Sequence, residues 1–183
     1  SIRFLYYIMN QPHKSKNLSP GDVKDVLSQF VSKIWNIYTF FKQNAEAVGY
    51  KPKKLQPAKL TQKIDKWLYS QLNKTIQDVD SNLDKYLIFE SAVTLQSFVV
   101  NDLSNWYIRV LRNRFQTLDE DAYGLLYHTI LQIIKVAASF IPFMTERVYL
   151  AIKEDFKVKG LLDSVHLEEF PKVDADAIDD ELN

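Results

Sequence analysis

Apolar residues recur at spacings of three and four through most of this chain, and little interrupts them. Val23, Val26, Leu27, Phe30, Ile34, Ile37, Tyr38 and Phe41 form the first such series. That repeat puts one apolar stripe on a helix and leaves the other faces to water. Ser19 is placed to cap this helix, Pro20 fits its first position, and Gly49 is placed to stop it after Val48. A second helix carries Ile64, Trp67, Leu68, Leu72, Ile76 and Val79. A third runs from Tyr86 to Phe115, with Phe89, Ala92, Leu95, Val99, Leu103, Trp106 and Val110 as its expected stripe, so Trp106 is read as core. Asp119, Glu120 and Asp121 stand where the positive end of a fourth helix dipole would be. That helix carries Leu126, Ile130, Ile133, Ile134 and Ala137, and Pro142 separates it from a short fifth.

With only 4 glycines and 6 prolines in 183 residues, a turn-rich β-sandwich or barrel is disfavoured. The reading is an all-α fold, an antiparallel bundle of four long helices plus one short helix. Residues 1–18 are expected to be a lead-in segment and linker, 19–158 the bundle, and 159–183 a C-terminal loop with a frayed acidic tail. No apolar run approaches the length of a membrane span, so no membrane partner is expected. The absence of cysteine removes disulfides, thiol nucleophiles and cysteine metal sites, and fits a reducing, cytoplasmic setting.

Catalytic chemistry is not evident. His13, His128 and His166 lack partners at metal-ligand spacing, and the four glycines stand alone rather than in a phosphate loop. No nucleophile, base and orienting group occur together, so neither a catalytic nor a metal site is expected. Two stretches do suggest binding. Residues 51–74 hold seven lysines against Asp65 alone, a local balance of +6 within a chain of zero net charge. This is either a solvated helix face or a surface that tracks phosphates. The second stretch, Asn101 to Phe115, brings Arg109, Arg112 and Arg114 to a helix C-terminus beside aromatic residues. Arginine near aromatics suits unpaired bases and phosphates, while the alternative is cations stabilising the negative end of a helix dipole.

The stretch DLSNWYIRVLRNRF, Asp102 to Phe115, resembles the signature DLSNWYIRRSRRRFW of isoleucyl-tRNA synthetases. Further stretches match that family in the same order. Ile2 to Tyr7 resembles its strand-like exit from the catalytic domain, and Ile34 to Phe41 its LWNVYxFF helix. Pro142 to Glu146 resembles PFxxE, and Ser164 to Pro171 resembles SVHLxDWP. Lys14-Ser15-Lys16 is not the family's KMSKS loop, which belongs upstream.

The resemblance implies the anticodon-binding domain of a class I aminoacyl-tRNA synthetase. Its expected partners are an isoleucine tRNA and the catalytic and editing domains of a longer parent. That parent would use ATP and Mg, and no cofactor is expected in these residues. Carried over by position, Asn36 and Phe40 lie one turn apart on the LWN helix, while Arg109, Arg112, Arg114 and Phe115 close the signature helix. Asn36 would hydrogen-bond a base edge, the arginines would pair with phosphates or bases, and Phe115 would stack. The signature departs from the family at Val110, Leu111, Asn113 and Gln116, which stand for two arginines, a serine and a tryptophan. Two alternatives stay open: a helical protein-interaction module using Tyr50 and Trp67, or the same domain from a valyl or leucyl relative.

Overall fold

The structure is a computed structural model that describes residues 2–9 and 19–182, so His13 and the Lys14-Ser15-Lys16 stretch lie outside it. Its helices are α1 (Ile2–Met9), α2 (Pro20–Val26), α3 (Ser32–Val48), α4 (Lys63–Asp84), α5 (Ile88–Ser97), α6 (Ile108–Arg114), α7 (Glu120–Ala137) and α8 (Pro142–Phe156). A π-helical stretch, Leu27–Val31, joins α2 to α3, and a longer one, Phe98–Tyr107, joins α5 to α6. Residues 20–48 and 88–114 are therefore each one continuous helix, and with α4 and α7 they are the four long members of the bundle. α8 is the short one. No strand occurs among the described residues.

Local chemistry sets the ends. The Ser19 Oγ accepts the Asp22 N–H at 3.2 Å, and the Asp22 carboxylate accepts the Ser19 N–H at 3.0 Å, a reciprocal cap. Gly49 closes the same helix at φ +69°, a left-handed turn that a side chain resists. Asp119 caps α7 by accepting the Ala122 N–H at 3.1 Å.

Successive long helices reverse direction, and the first and third lie side by side and parallel. Lys33 donates to Asn105 at 3.0 Å, and seven residues further on Phe40 stacks on Phe115 with centroids 5.3 Å apart. α7 runs against both, so that Phe115 also stacks on Tyr123 at 4.0 Å. The 51–62 connector crosses the end of the bundle where α3 and α6 finish and α4 and α7 begin. Tyr50 anchors it by stacking on Tyr123 at 4.9 Å, and Leu60 is buried beneath it.

The wide helical turns change which residues are core. Along the 88–114 helix and just past it, Ser91, Leu95, Val99, Leu103, Tyr107, Leu111 and Phe115 are all buried, a strict repeat of four. An α-helix has 3.6 residues per turn, so such a stripe would wind off the core within a few turns. The i→i+5 bonding of Phe98–Tyr107 widens the turns and keeps the stripe inward. Trp106 and Val110, expected in the core from alternating spacings of three and four, are instead 54% and 40% exposed.

Two further expectations are corrected. Ile2 to Tyr7 is helical rather than strand-like. Its Phe4 stacks on Phe30 at 4.1 Å, and Arg3 donates to the Ser139 carbonyl at 3.0 Å. Phe4, Leu5 and Ile8 share one helical face, and the bundle covers it. The acidic C-terminal stretch is docked rather than frayed. The Asp174 N–H donates to Asn73 Oδ1 at 2.8 Å and the Asp179 N–H to Ser70 Oγ at 2.9 Å.

Candidate nucleic-acid interface

The parallel pair of helices builds a seam out of residues far apart in sequence. On the first helix Lys33, Asn36 and Phe40 follow one another at three and four residues, which puts them on one face. On the third, Asn105, Arg109, Arg112 and Phe115 do the same. The Lys33–Asn105 hydrogen bond closes one end of this seam and the Phe40–Phe115 stack closes the other. Asn36, Arg109 and Arg112 lie between those two contacts, and all three are exposed. Phe40 is half-buried, with one face on Phe115. An exposed amide and two exposed guanidiniums, on helices that meet at a half-buried aromatic ring, can hydrogen-bond base edges and pair with phosphates.

Arg114 and Phe115 do not share that exposure. Phe115 is 2% exposed and lies between Phe40 and Tyr123, so neither of its faces is open to a base. Its carbonyl accepts the Tyr123 hydroxyl at 3.0 Å. Arg114 is turned inward. Its Nη1 and Nη2 donate to the two oxygens of Asp65 at 2.7 and 2.8 Å, and its Nε donates to Asp119 at 2.8 Å. The Tyr107 hydroxyl adds a hydrogen bond to Asp65 at 2.8 Å. Burial works against the charge of Arg114, but the hydrogen bonds to Asp65 and Asp119 outweigh it and hold the guanidinium above its ordinary range. Burial works against the charge of Asp119 too, but the bond to Arg114, the backbone N–H groups of Ala122 and Asp121 and the charge of Arg114 together hold its carboxyl below the ordinary range. Burial, then Asp65, pushes the Tyr107 hydroxyl well up. These groups lock the starts of α4 and α7 to the end of α6, so Arg114 and Phe115 position the seam from behind.

Asp65 was legible only as the one acid in a basic run. It falls on the apolar stripe with Leu68, Leu72, Ile76 and Val79, and a lone acid at such a position is the signal of a buried ion pair.

The lysine-rich stretch forms a second, adjoining surface. Lys51, Lys53, Lys54, Lys59, Lys63 and Lys66 are exposed along the connector and the first turn of α4, and Lys53 meets Glu120 at 3.2 Å. Trp106, outside the expected site, stands on the outer face of its helix against Trp67, with centroids 6.4 Å apart. Arg109 is one turn further along the same helix. Tyr50, named as an exposed docking residue for a protein partner, is buried instead.

Among the described residues, no group of three His, Asp or Glu side chains could hold a metal ion, and no helix is long and apolar enough to cross a membrane. His128 packs against Tyr69 with ring centroids 5.8 Å apart, and burial, then Lys135, pushes its imidazole down to about 4. His166 is exposed in a short turn where its N–H bonds the Ser164 hydroxyl.

Residues 65–183 match the sequence family described as the anticodon-binding domain of tRNA ligase. The chain is 38% identical to the isoleucine–tRNA ligase of Clostridium novyi and 37% identical to that of Clostridium acetobutylicum, in each case over 100% of its length. It is 36% identical to that of Thermoplasma volcanium over 97%. The chain spans 18% of the first two relatives and 17% of the third. Among solved structures, the fold superposes on LeuRS from a ternary LeuRS–tRNA–LeuAMS complex of Agrobacterium radiobacter. The TM-score is 0.72 at 12% identity, with 97% of this chain and 20% of that one covered.

Proposed function

The chain belongs to the anticodon-binding domain family of tRNA ligases, and we propose that it grips the anticodon stem and loop of an isoleucine tRNA. The observation that carries this reading is the seam between the parallel helices, where Asn36, Arg109 and Arg112 stand exposed between two interhelical contacts. Asn36 reads a base edge, because its amide offers a donor and an acceptor side by side. Arg109 and Arg112 pair with phosphates or bases, and the lysine connector tracks the neighbouring phosphates. Trp106, one turn before Arg109, offers a ring face for stacking, a contact that accepts any base.

Isoleucine as the amino acid rests on relatives that are named isoleucine–tRNA ligases and of which this chain spans less than a fifth. In a ligase of that length the joining of isoleucine to tRNA, with ATP and Mg, falls to residues beyond these. The contribution of this bundle is to place the anticodon.

Binding of isoleucine tRNA across a salt series, beside the same tRNA with an altered anticodon, tests the reading. Affinity that falls steeply with salt and drops for the altered anticodon supports it. Equal binding of both tRNAs leaves only a non-specific basic surface and overturns anticodon reading. Binding to a protein partner that barely responds to salt, with none to tRNA, would favour an apolar docking role.

A further inference from the structure

We propose that residues 173–182 are a detachable acidic arm that lies beside Lys63 and Lys66 of α4 and competes there with RNA phosphates. The inference rests on the RNA-binding reading above and adds a control on that surface. The stretch carries Asp174, Asp176, Asp179, Asp180 and Glu181 and no base. It folds as two single 3-10 turns, Ala175–Ala177 and Asp180–Leu182, which have no apolar stripe of their own.

Its course brings it to the lysines. Asp174, Asp176 and Asp179 share one cleft with Lys66, between the connector and α4. Glu181 and Leu182 share the next with Lys63, Trp67 and Trp106, where Asp102 is the other acid present. A row of carboxylates along a basic helix edge resembles a phosphate backbone in charge and spacing, so arm and RNA cannot both hold that edge.

The manner of docking fits release. Asn73 Oδ1 accepts the Asp174 N–H, Ser70 Oγ accepts the Asp179 N–H, and the Tyr69 hydroxyl donates to Asp174 at 3.1 Å. Ser70 and Asn73 are 1% and 3% exposed under the arm, yet both are polar side chains. When the arm lifts, water replaces these bonds at Ser70 and Asn73, and the apolar contact given up is the small one that Val173 and Ala177 make with the core. An apolar face at Ser70 and Asn73 would have made the arm a permanent part of the core.

Two variants separate the arm from general charge effects. Ser70→Ala/Asn73→Ala removes two of the three docking groups with no change in charge. Asp174→Asn/Asp176→Asn/Asp179→Asn/Glu181→Gln neutralises the arm. Asp78→Asn/Asp80→Asn/Asp84→Asn/Glu90→Gln makes the same charge change at exposed positions toward the far end of α4 and is the control. Each is titrated with isoleucine tRNA and with inorganic polyphosphate at low salt.

Both arm variants should bind each probe roughly 5- to 10-fold more tightly than the parent, and the control should gain clearly less. Amide exchange at Asp174 and Asp179 should quicken when polyphosphate saturates the parent protein. Unchanged or weaker binding of both probes by the arm variants, or a control that gains as much, would overturn the arm, as would a parent that ignores polyphosphate in every variant. Tighter polyphosphate binding without tRNA binding in any variant would keep the arm and sink the anticodon reading. Binding of tRNA that is indifferent to the arm would do the reverse.

Discussion

The guanidinium of Arg114 and the carboxylate of Asp65 meet edge to edge, 49 residues apart in sequence, with bonds of 2.7 and 2.8 Å and Asp65 wholly buried. A planar fork against a carboxylate satisfies both oxygens at once, which a lysine cannot do. Tyr107 and Asp119 complete the set, so no charge in it is left without a partner.

Removing Arg114 should therefore damage the fold first. Arg114→Ala strands a buried carboxylate, at a cost of about 3–5 kcal/mol. In a domain of this size that lowers Tm by roughly 10 °C. Arg114→Lys should recover only part of the loss. Thermal unfolding followed by circular dichroism checks this, and a variant melting within a degree or two of the parent would refute the locking role.

Arg109 and Arg112 should behave in the opposite way. Their guanidiniums are exposed, so alanine at either position should change stability by less than about 0.5 kcal/mol. Each substitution should weaken tRNA binding and lower the salt slope by about one. Equal salt slopes in parent and variants would remove these residues from the phosphate contacts.

Phe115→Ala should cost about 3–5 kcal/mol, because it opens a cavity between Phe40 and Tyr123 at the point where three helices meet. Phe115→Leu should cost less and leave tRNA binding intact in the folded fraction. If Phe115→Leu abolishes binding while keeping the parent Tm, the ring touches RNA after all.

His128 gives the fold a sensitivity to mild acid. Its imidazole is pushed from about 6.5 down to about 4 in the folded state, by burial and then by Lys135. The unfolded chain takes up a proton below 6.5 that the folded chain refuses until about 4. Stability is thus fully present above 6.5 and is lost as pH falls through this window, by on the order of 3 kcal/mol. Denaturant midpoints between pH 7 and pH 4.5 should fall for the parent and stay flatter for His128→Gln. Parallel curves would place the titration elsewhere.

The helices were legible because their stripes, caps and breakers agree: Ser19, Gly49, Asp119 and Pro142 each stand at the boundary their chemistry predicts. The phase of the third helix was not. Spacings of three and four assume α geometry throughout, and the wide turns shift the buried row to Tyr107 and Leu111. That shift exposed Trp106. The site was legible as residue types near one helix end, but not as a division of labour. Arg112 and Arg114 look alike in sequence, and only Asp65, on another helix, draws one inward and leaves the other free. The docked arm escaped notice because its partners, Ser70 and Asn73, are polar and add nothing to an apolar pattern.

The ten-residue π-helical stretch makes the number of residues in the signature helix as informative as their identity. Deleting one residue from Phe98–Tyr107 would leave every side chain beyond it intact and turn them all by about 100° around the axis. Leu111 would be driven toward water and Arg112 toward the core. Length variants of this segment should therefore be rarer in nature than substitutions within it, and a relative one residue shorter should carry each cation one residue later, back in the exposed place.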